Sequence, residues 1–394
     1  MAKWMIYQKR EDFRAIAQEC GISPVLARVI RNRDVIGAGE TRRFLNGGLE
    51  NLHDPELLPD MDKAVGILAG KIREGTAIRV IGDYDVDGIC ASYILLRTLA
   101  VCGARADVVL PDRVRDGYGM NPQMAEDAAE DGIGLILTCD NGIAAAEAVR
   151  TAKEAGICVI VTDHREVPFE EDEGGGKTWL LPTADAVVDP KVRGAKSGKM
   201  DYPYPDICGA VVAWKLADLL LKEMEPDRRT QVLGELLPFC ALATVCDVMP
   251  LLDENRILVR EGLAGAAVTS NVGLRSLLIV NGLEGKKLSA YHAGFVIGPC
   301  LNATGRLDSA ERALALFLEE DPTEALRSAQ KLRELNDSRK SLTEQGVEAA
   351  MTQVREQGLM RNRVMVIFLP DCHESLAGII AGRIRERCSR PVFV

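Results

Sequence analysis

The chain is poor in the residues that build zinc sites and disulfide frameworks. It has only four histidines, and they are scattered along 394 residues. Its eleven cysteines are an odd number, and no two of them form a C-x-x-C pair. Several stand inside apolar segments, among them Cys90, Cys139, Cys158 and Cys246. This usage argues against a zinc site and predicts buried free thiols in a reducing compartment.

Long hydrophobic runs are also missing. Residues Met1 to Arg10 contain no apolar signal core, and the longest apolar stretch, Ile207 to Leu221, is interrupted by Lys215 and Asp218. We therefore expect a cytoplasmic protein with no membrane contact. The net charge of −10 argues against a surface coated with basic residues. One cleft can still be positive on an acidic protein, so charge neither establishes nor excludes a nucleic-acid partner.

Helical and extended patterns alternate through the first half of the chain. The patterns predict helices near 61–74, 89–102, 122–130 and 143–155, strands at 77–82, 106–110, 133–139 and 157–162, and a short strand at 186–188. Repeated βαβ crossovers of this kind indicate an α/β fold with a mainly parallel sheet. The length is sufficient for two or three domains.

Four segments are predicted from the changes in pattern. Residues 1–60 form an N-terminal helical wrap, and 61–320 form the main domain, which is α/β to about 200 and largely helical after it. Apolar residues spaced by threes and fours predict a connecting helix over 321–357. Residues 358–394 begin a second, smaller α/β lobe that is incomplete here. The acidic, glycine-rich run 170–177 is expected to be a solvated loop.

Three carboxylates, Asp83, Asp85 and Asp87, alternate directly after the predicted strand 77–82. Open α/β sheets bind ligands at the carboxyl ends of their strands. Crowded carboxylates repel each other unless a cation lies between them, and oxygen ligands suit Mg²⁺ or Mn²⁺. A calcium loop is disfavoured because its twelfth position holds Ile94 instead of Glu. A solvated acidic turn remains the simpler alternative.

Neighbouring strand ends carry further candidate ligands. Asp140 follows the predicted strand 133–139, and Asp163 and His164 follow the strand 157–162. Because parallel strands end at the same edge of a sheet, we expect these side chains to converge on the Asp83–Asp87 loop. Asp247 ends an apolar helix; taken alone it is an ordinary helix-end carboxylate, and only the constellation makes it a candidate ligand.

Five or six carboxylates with one imidazole make a hard, oxygen-rich site. Such sites suit two Mg²⁺ or Mn²⁺ ions about 3.5–4 Å apart, which bind a phosphate, activate water and stabilise the leaving oxygen. The chemistry indicated is phosphoester hydrolysis. A kinase or P-loop enzyme is disfavoured because the sequence has no G-x-x-x-x-G-K-S/T segment.

The sequence resembles the DHH phosphoesterases at four motifs. They are the D-Y-D-V-D-G loop of 83–88, the strand end at Asp140, D-H-R at 163–165, and A-T-V-C-D-V-M-P-L at 243–251. Two further blocks resemble the branch of this family that degrades single-stranded DNA from 5′ to 3′. These are G-P-C-L-N-A-T-G-R-L at 298–307 and H-E-S-L-A-G-I-I-A-G-R at 373–383. The resemblance covers about residue 50 to the end of the chain.

The resemblance implies a role for each matching residue. The metal ligands would be Asp85, Asp87, Asp140, His164 and Asp247. The catalytic positions beside them would be Asp83, Asp163, which orients the ligand histidine, and Arg165. The substrate-binding positions would be Arg113, Asn302, Arg306, His373, Gly382 and Arg383. For Arg113 and Arg306, which match positions that contact phosphates, a surface salt bridge is the alternative.

The implied fold is a parallel-sheet DHH domain joined by the long helix to a DHHA1-type lobe. The implied function is metal-dependent 5′-to-3′ hydrolysis of single-stranded DNA to 5′-mononucleotides in DNA repair and recombination. A monomer working with a helicase and a single-strand-binding protein would fit. One alternative is a DHH phosphodiesterase of dinucleotides or short oligonucleotides, which would generally lack the 298–307 block. Another is a non-catalytic replication factor, which would have lost metal ligands.

The chain departs from the family pattern at three positions. Arg165 stands where a second histidine is expected; a guanidinium can neutralise a phosphate but does not exchange protons as imidazole does. Cys300 and Cys372 replace an expected arginine and tryptophan. We expect the first change to affect the rate or its pH dependence and the other two to affect substrate binding.

Overall fold

The computed structural model describes residues 5, 7, 9–171, 176–192 and 201–394. Three helices, α1 (Phe13–Cys20), α2 (Pro24–Arg31) and α3 (Gly37–Asn46), precede the sheet region. The α/β region contains α4 (Met61–Arg73), β1 (Ala77–Ile81), α5 (Val86–Val101), β2 (Arg105–Val109), α6 (Pro122–Glu130), β3 (Leu135–Thr138), α7 (Ala146–Glu154), β4 (Cys158–Thr162), β5 (Phe169–Glu171), β6 (Lys177–Trp179) and β7 (Ala186–Val188).

The remainder is largely helical. It contains α8 (Gly209–Met224), α9 (Arg229–Cys246), α10 (Asp253–Ala266), α11 (Val272–Val280), α12 (Ala290–His292), a π-helix (Ala293–Ile297), α13 (Gly298–Leu307), α14 (Glu311–Leu318), α15 (Pro322–Glu356), β8 (Met365–Val366), α16 (Glu374–Cys388) and β9 (Val392–Phe393). Among the described residues, no helix is both long and apolar enough to span a bilayer.

The main sheet is parallel, with strand order β2-β1-β3-β4-β7. The chain moves from β1 to β2 on one side and then returns to place β3 on the other side of β1. The crevice at the carboxyl ends of β1 and β3 is therefore the topological switch point, where open α/β sheets bind their ligands. The predicted parallel α/β fold is confirmed.

Both faces of the sheet are buried because its strands carry apolar residues on both sides. Leu135 and Leu137 face a core formed with α4, α5, α8 and α9, whereas Ile136 faces a second core formed with α6 and α7. This alternation is the period-two pattern of a strand. Helices thus cover the two faces and leave the carboxyl edge free to carry polar groups.

A buried ion pair fixes α8 against the rest of the domain. Lys215, in the middle of α8, lies 2.9 Å from Glu254 of α10 and donates to the carbonyl of His53 at 2.8 Å. Tyr202 donates a further hydrogen bond of 2.6 Å to Glu254. These partners satisfy charges that would be costly to bury alone, and they set the position of the amino end of α8.

The second half of α15 packs with the elements that follow it in a separate hydrophobic cluster, here called the second unit. Val347, Ala350 and Val354 of α15 pack with Leu376, Ile380 and Ile384 of α16, and β8 and β9 form a parallel pair beside them. α15 extends over Pro322–Glu356, close to the expected 321–357.

One local prediction was wrong. The run 170–177, expected to be a loop, contributes to an antiparallel hairpin in which β5 pairs with β6. Its middle residues, 172–175, lie outside the described part of the chain. The strands are short and fully exposed, so no apolar alternation marks them, and the Phe169–Trp179 ring contact joins them across the pair.

Candidate metal centre

The acidic loop after β1 is shaped by close backbone approaches and by the start of α5. A Cβ at Gly88 would lie 2.5 Å from the amide nitrogen of Asp83, so only glycine lets α5 begin so close to the strand end. Asp85 is the N-cap of α5, and its Oδ1 accepts from the amides of Asp87 at 2.9 Å and Gly88 at 3.2 Å. Its second oxygen remains available toward the sheet edge.

Asp87 is held by the amino end of α8. Its two carboxylate oxygens accept from the amides of Gly209 and Ala210, each at 2.7 Å. A helix amino end favours an anion, so α8 orients this carboxylate before any ligand binds. Burial raises the pKa of Asp87, although His164 and the two amides oppose the shift.

Asp140 lies at the end of β3 in the left-handed backbone region, with φ of 60°. Asn141 stabilises this turn by donating to the carbonyls of Ile81 at 3.0 Å and Cys139 at 2.9 Å. The hydroxyl of Tyr118 donates to the carbonyl of Asp140 itself. These hydrogen bonds tie the loop after β3 to β1 and to the segment 117–119, which contains Tyr118. The Asp140 side chain is fully buried.

Asp163 and His164 follow β4 and have different surroundings. Asp163 accepts from the backbone amides of Ile143 at 2.9 Å and His164 at 2.8 Å, so it links the segments that follow β3 and β4. His164 Nε2 lies 3.0 Å from Asp140, 3.4 Å from Asp87 and 3.9 Å from Asp247. The imidazole nitrogen therefore stands at the point where three carboxylates meet.

The predicted metal ligands, together with Asp83 and Asp163, form three overlapping groups, and within each group the ligand atoms lie within 4.8 Å of one another. The groups are Asp87, His164 and Asp247; Asp140, Asp163 and His164; and Asp83, Asp85 and Asp140. Strand ends, the N-cap of α5 and the C-cap of α9 all contribute. The structure thus brings together every residue expected at the metal site.

The electrostatics of this cluster fit divalent cations. Burial, and then the neighbouring Asp85, raises the pKa of Asp83 to about 7. Burial, and then Asp87, raises the pKa of Asp247 to about 6 and that of Asp140 well above its usual value. Asp140 Oδ2 has no hydrogen-bond partner among the described residues. A hard cation would neutralise this repulsion and supply the missing partner.

Asp83 has weak contacts of its own. Neither of its buried oxygens has a well-formed hydrogen bond within the described chain. The amides of Tyr84 and Gly119 are nevertheless close enough to lower its pKa somewhat against the effect of burial. These two amides form no well-shaped hydrogen bond with the carboxylate, so both oxygens of Asp83 can still face a cation.

Arg165 lies at the rim of the cluster. Its guanidinium is 4.5 Å from the centre of the Tyr118 ring, and one nitrogen lies 3.4 Å from Asp140 Oδ1. The contact with the Tyr118 ring holds the Arg165 guanidinium on one side of the carboxylates. Arg165 thus places a permanent positive charge beside the carboxylates at this rim.

A cavity of about 510 Å³ opens between the main domain and α16. Arg113 and Arg306 line it, together with one acidic residue, Glu374, and with Ser375 and Gly378. Arg306 donates to the carbonyl of Ser375 at 2.6 Å, and burial, then Arg113 and Arg339, lowers the pKa of Arg306 to about 10. Neither Arg113 nor Arg306 forms an ion pair with a described carboxylate, so the salt-bridge alternative is not observed.

Four other expected substrate residues are not among the described walls of this cavity: Asn302, His373, Gly382 and Arg383. His373 is instead the N-cap of α16, where its Nδ1 accepts from the amide of Ser375 at 3.3 Å. Arg383 lies close enough to Arg339 to lower the pKa of that guanidinium, after the effect of burial.

Sequence reasoning missed the role of Asn141 and of the Gly209–Ala210 amides. The Asn-Gly pair after Asp140 is a turn signal that could have identified Asn141 as a structural partner of the ligand loop. Nothing in the local sequence around 209–210 indicates a contact with Asp87, because the two segments are far apart in the chain.

We expect Gly209→Ala to weaken metal binding. The new Cβ would lie 2.6 Å from Cβ and 2.9 Å from Cα of Asp140, so either Asp140 or the first turn of α8 must move. Isothermal titration with Mn²⁺ should show an affinity loss of about 10- to 100-fold, as for other changes that displace a ligand's support. Gly66→Ala is the matched control, because no atom lies near its Cβ. Equal affinities for both variants would contradict the prediction.

The raised pKa values predict how metal and pH act on stability. Asp83 has a pKa of about 7 and Asp247 a pKa of about 6, so between about pH 4 and these values the folded protein binds more protons at them than the unfolded chain does. Their contribution to the stability of the metal-free protein therefore falls as pH rises through 7.

Mn²⁺ displaces these protons, so its stabilising effect should grow over the same range. Thermal unfolding with and without Mn²⁺ between about pH 5 and pH 8 checks this. Asp83→Asn, the control, should reduce the pH dependence of the metal-free Tm. A Mn²⁺-induced shift in Tm that is equal at every pH would exclude this interpretation.

Comparison with known proteins places this geometry in a family. Residues 77–244 match the DHH family, N-terminal domain. The single-stranded-DNA-specific exonuclease RecJ of Bacillus subtilis (strain 168) is 33% identical over 393 residues, covering 100% of this chain and 47% of the relative. RecJ of Escherichia coli (strain K12) is 36% identical over 386 residues, covering 94% of this chain and 63% of the relative.

A solved structure agrees with these relatives. The crystal structure of exonuclease RecJ bound to manganese has a TM-score of 0.71 and 34% identity, covering 85% of this chain and 79% of that one. The chain spans about half the length of the Bacillus relative and less than two thirds of the Escherichia relative. The chain belongs to the DHH family and, within that family, is similar to the RecJ exonucleases.

Proposed function

We propose that this protein is a Mn²⁺- or Mg²⁺-dependent exonuclease that removes 5′-mononucleotides from single-stranded DNA. The observation that carries the proposal is the buried carboxylate–histidine cluster, which lies at the sheet's switch point. The arginine-lined cavity beside it supplies a binding site for phosphate. Relatives named single-stranded-DNA-specific exonuclease, at 33% and 36% identity, support the choice of substrate.

In this proposal five residues hold two metal ions: Asp85, Asp87, Asp140, His164 and Asp247. Asp83 faces the same ions through oxygens that lack well-formed hydrogen bonds within the described chain. Asp163 is a positioning residue, because its oxygens bind the amides of Ile143 and His164 and so hold the histidine in place. When bound, the two ions neutralise the phosphate and activate a water molecule.

The arginines act on the substrate. Arg113 and Arg306 bind phosphate oxygens in the 510 Å³ cavity, since both guanidiniums lack a described carboxylate partner. Arg165, held on the Tyr118 ring, neutralises charge on the scissile phosphate. Asn302, Gly382 and Arg383, which do not line this cavity, are the remaining substrate-binding positions of the proposal. His373 contributes by capping α16.

The remaining features of the proposal concern organisation and context. A DHH domain over 61–320 and a DHHA1-type lobe from 358 onward would close on the strand, with 1–60 as a helical wrap and 321–357 as the connection. The protein would act as a monomer in the cytoplasm, in DNA repair and recombination, together with a helicase and a single-strand-binding protein.

A nuclease assay tests the proposal. Single-stranded DNA, duplex DNA and short RNA, each labelled, are incubated with the chain and Mn²⁺. We expect mononucleotides from the 5′ end of single-stranded DNA only. Asp140→Ala should abolish the reaction because it removes the carboxylate next to His164. Asp127→Ala, which changes an exposed carboxylate on α6, is the control and should retain full activity. Preferential cleavage of dinucleotides, or no metal-dependent cleavage, would disprove the proposal.

The role of Arg165 can be measured separately. Arg165→Ala should lower the single-turnover rate about 100-fold, the usual effect of losing one group that stabilises the transition state. Arg165→His should restore part of the rate and add a pH step near the imidazole pKa of about 6.5. Arg150→Ala, an exposed arginine paired with Glu154, is the control. An unchanged single-turnover rate in Arg165→Ala would show that this residue does not take part in the reaction.

A further inference from the structure

Two aromatic rings are stacked on the surface just before α13. The rings of Tyr291 and Phe295 have centroids 5.3 Å apart and an interplanar angle of 24°. Tyr291 is 64% exposed and Phe295 is 71% exposed. We call this pair the aromatic platform. The apolar surface of exposed, stacked rings of this kind stays in contact with water until a ligand or a partner covers it.

The backbone places the platform on an outward face. Tyr291 belongs to α12 and Phe295 to the π-helix that follows it, while Ala293 and Ile297 between and beyond them are buried. A π-turn is rare and is often found at functional sites, because it shifts the side chains by one position relative to an α-helix. Here it presents both rings together while the opposite side packs on the domain.

The backbone that carries Phe295 packs on the segment that leads to the metal centre. The carbonyl of Ala293 accepts from the thiol of Cys246 at 3.7 Å, and Gly294 approaches Val245 so closely that a Cβ would lie 3.3 Å from it. Cys246 directly precedes Asp247, one of the proposed ligands. The π-helix therefore packs on the last turn of α9, immediately before that ligand.

The π-helix continues directly into α13, and the far end of α13 reaches the phosphate cavity. A Cβ at Gly305 would lie 2.8 Å from the carbonyl of Tyr84 in the acidic loop, and Arg306 lines the cavity. From Phe295 to Arg306 the run is about 16 Å long at 1.5 Å per residue. The run thus passes along the metal centre, with arginines at one end and the platform at the other.

Two lysines precede the platform in the sequence and could pair with a polyanion. Lys286 and Lys287 are exposed just before α12, and neither forms an ion pair within the described parts of the chain. Glu284 is the acidic residue nearest to them in the sequence. Exposed rings next to free lysines are the combination with which proteins bind single strands, because bases stack on the rings and phosphates pair with the cations.

We propose that Tyr291, Phe295, Lys286 and Lys287 form a binding surface for single-stranded nucleic acid on the 3′ side of the cleavage site. The inference rests on the proposed function, in which Arg113 and Arg306 bind phosphate oxygens and mononucleotides are removed from the 5′ end. Nucleotides beyond the cleaved bond then leave the metal centre toward the platform. Every base has a π-face, so binding there is independent of sequence, and paired bases of a duplex are not available for it.

Binding of a labelled single strand of about 16 nucleotides to the whole chain, in the absence of divalent metal, tests the inference. Fluorescence anisotropy should show that Tyr291→Ala with Phe295→Ala weakens affinity by about tenfold for each ring removed. Lys286→Ala with Lys287→Ala should lower the slope of log affinity against log salt by about 1.4, the value for two phosphate contacts on a single strand. Phe368→Ala, 76% exposed in the second unit, is the matched control.

Cleavage with Mn²⁺ separates this inference from the proposed function. The ring variant should cleave a dinucleotide at the wild-type rate, because that substrate does not reach the platform, and should show a higher KM on long strands. Long-strand binding equal to that of the wild type would overturn the inference even if the chain is an active exonuclease. Absence of cleavage by the wild type would instead refute the proposed function, and the binding experiment would still decide the platform.

Two other results would contradict the inference. The first is a wild-type chain that binds no single strand. The second is a ring variant that binds strands normally but loses association with a partner protein, which would make the platform a protein-docking surface. Thermal unfolding of each variant checks that the fold is retained, as expected for substitutions at exposed positions.

Discussion

The crowding of buried carboxylates at the β1–β3 edge is the constraint on which the rest of the structure depends. Four acidic side chains, Asp83, Asp87, Asp140 and Asp163, are nearly inaccessible to water. Burial, and then repulsion from neighbouring carboxylates, raises the pKa of the first three. Such an arrangement is unfavourable in a protein without a compensating charge. The fold maintains it with backbone amides and leaves selected oxygens free for cations.

Four helices, α5, α8, α9 and α13, shape this arrangement. α5 begins at Asp85, and α8 directs its amino end at Asp87. α9 ends at Asp247, and α13 passes between the acidic loop and the last turn of α9. The buried Lys215–Glu254 pair holds α8 in place, far from the chemistry. Interactions in the domain core therefore determine the geometry of the metal centre.

Steric crowding explains why small residues stand at particular positions of the site. Gly88 and Gly209 lie where a side chain would overlap Asp83 and Asp140, respectively. Asn141 ties the β3 loop to β1 through two carbonyls. None of these residues would touch a metal, yet each positions a carboxylate that would. How well these residues support the carboxylates depends on atomic positions within a few tenths of an ångström, which residue type alone does not encode.

The sequence by itself determined the parallel α/β fold and the candidate ligands, because strand ends are local features and parallel strands place them at one edge. It did not predict the β5–β6 hairpin, whose exposed strands have no apolar alternation, or the cap formed by His373. Only the tertiary structure brought α8 to Asp87, across 122 residues of sequence, and stacked Tyr291 on Phe295 at the surface. Such contacts depend on how distant segments pack, which local sequence patterns do not specify.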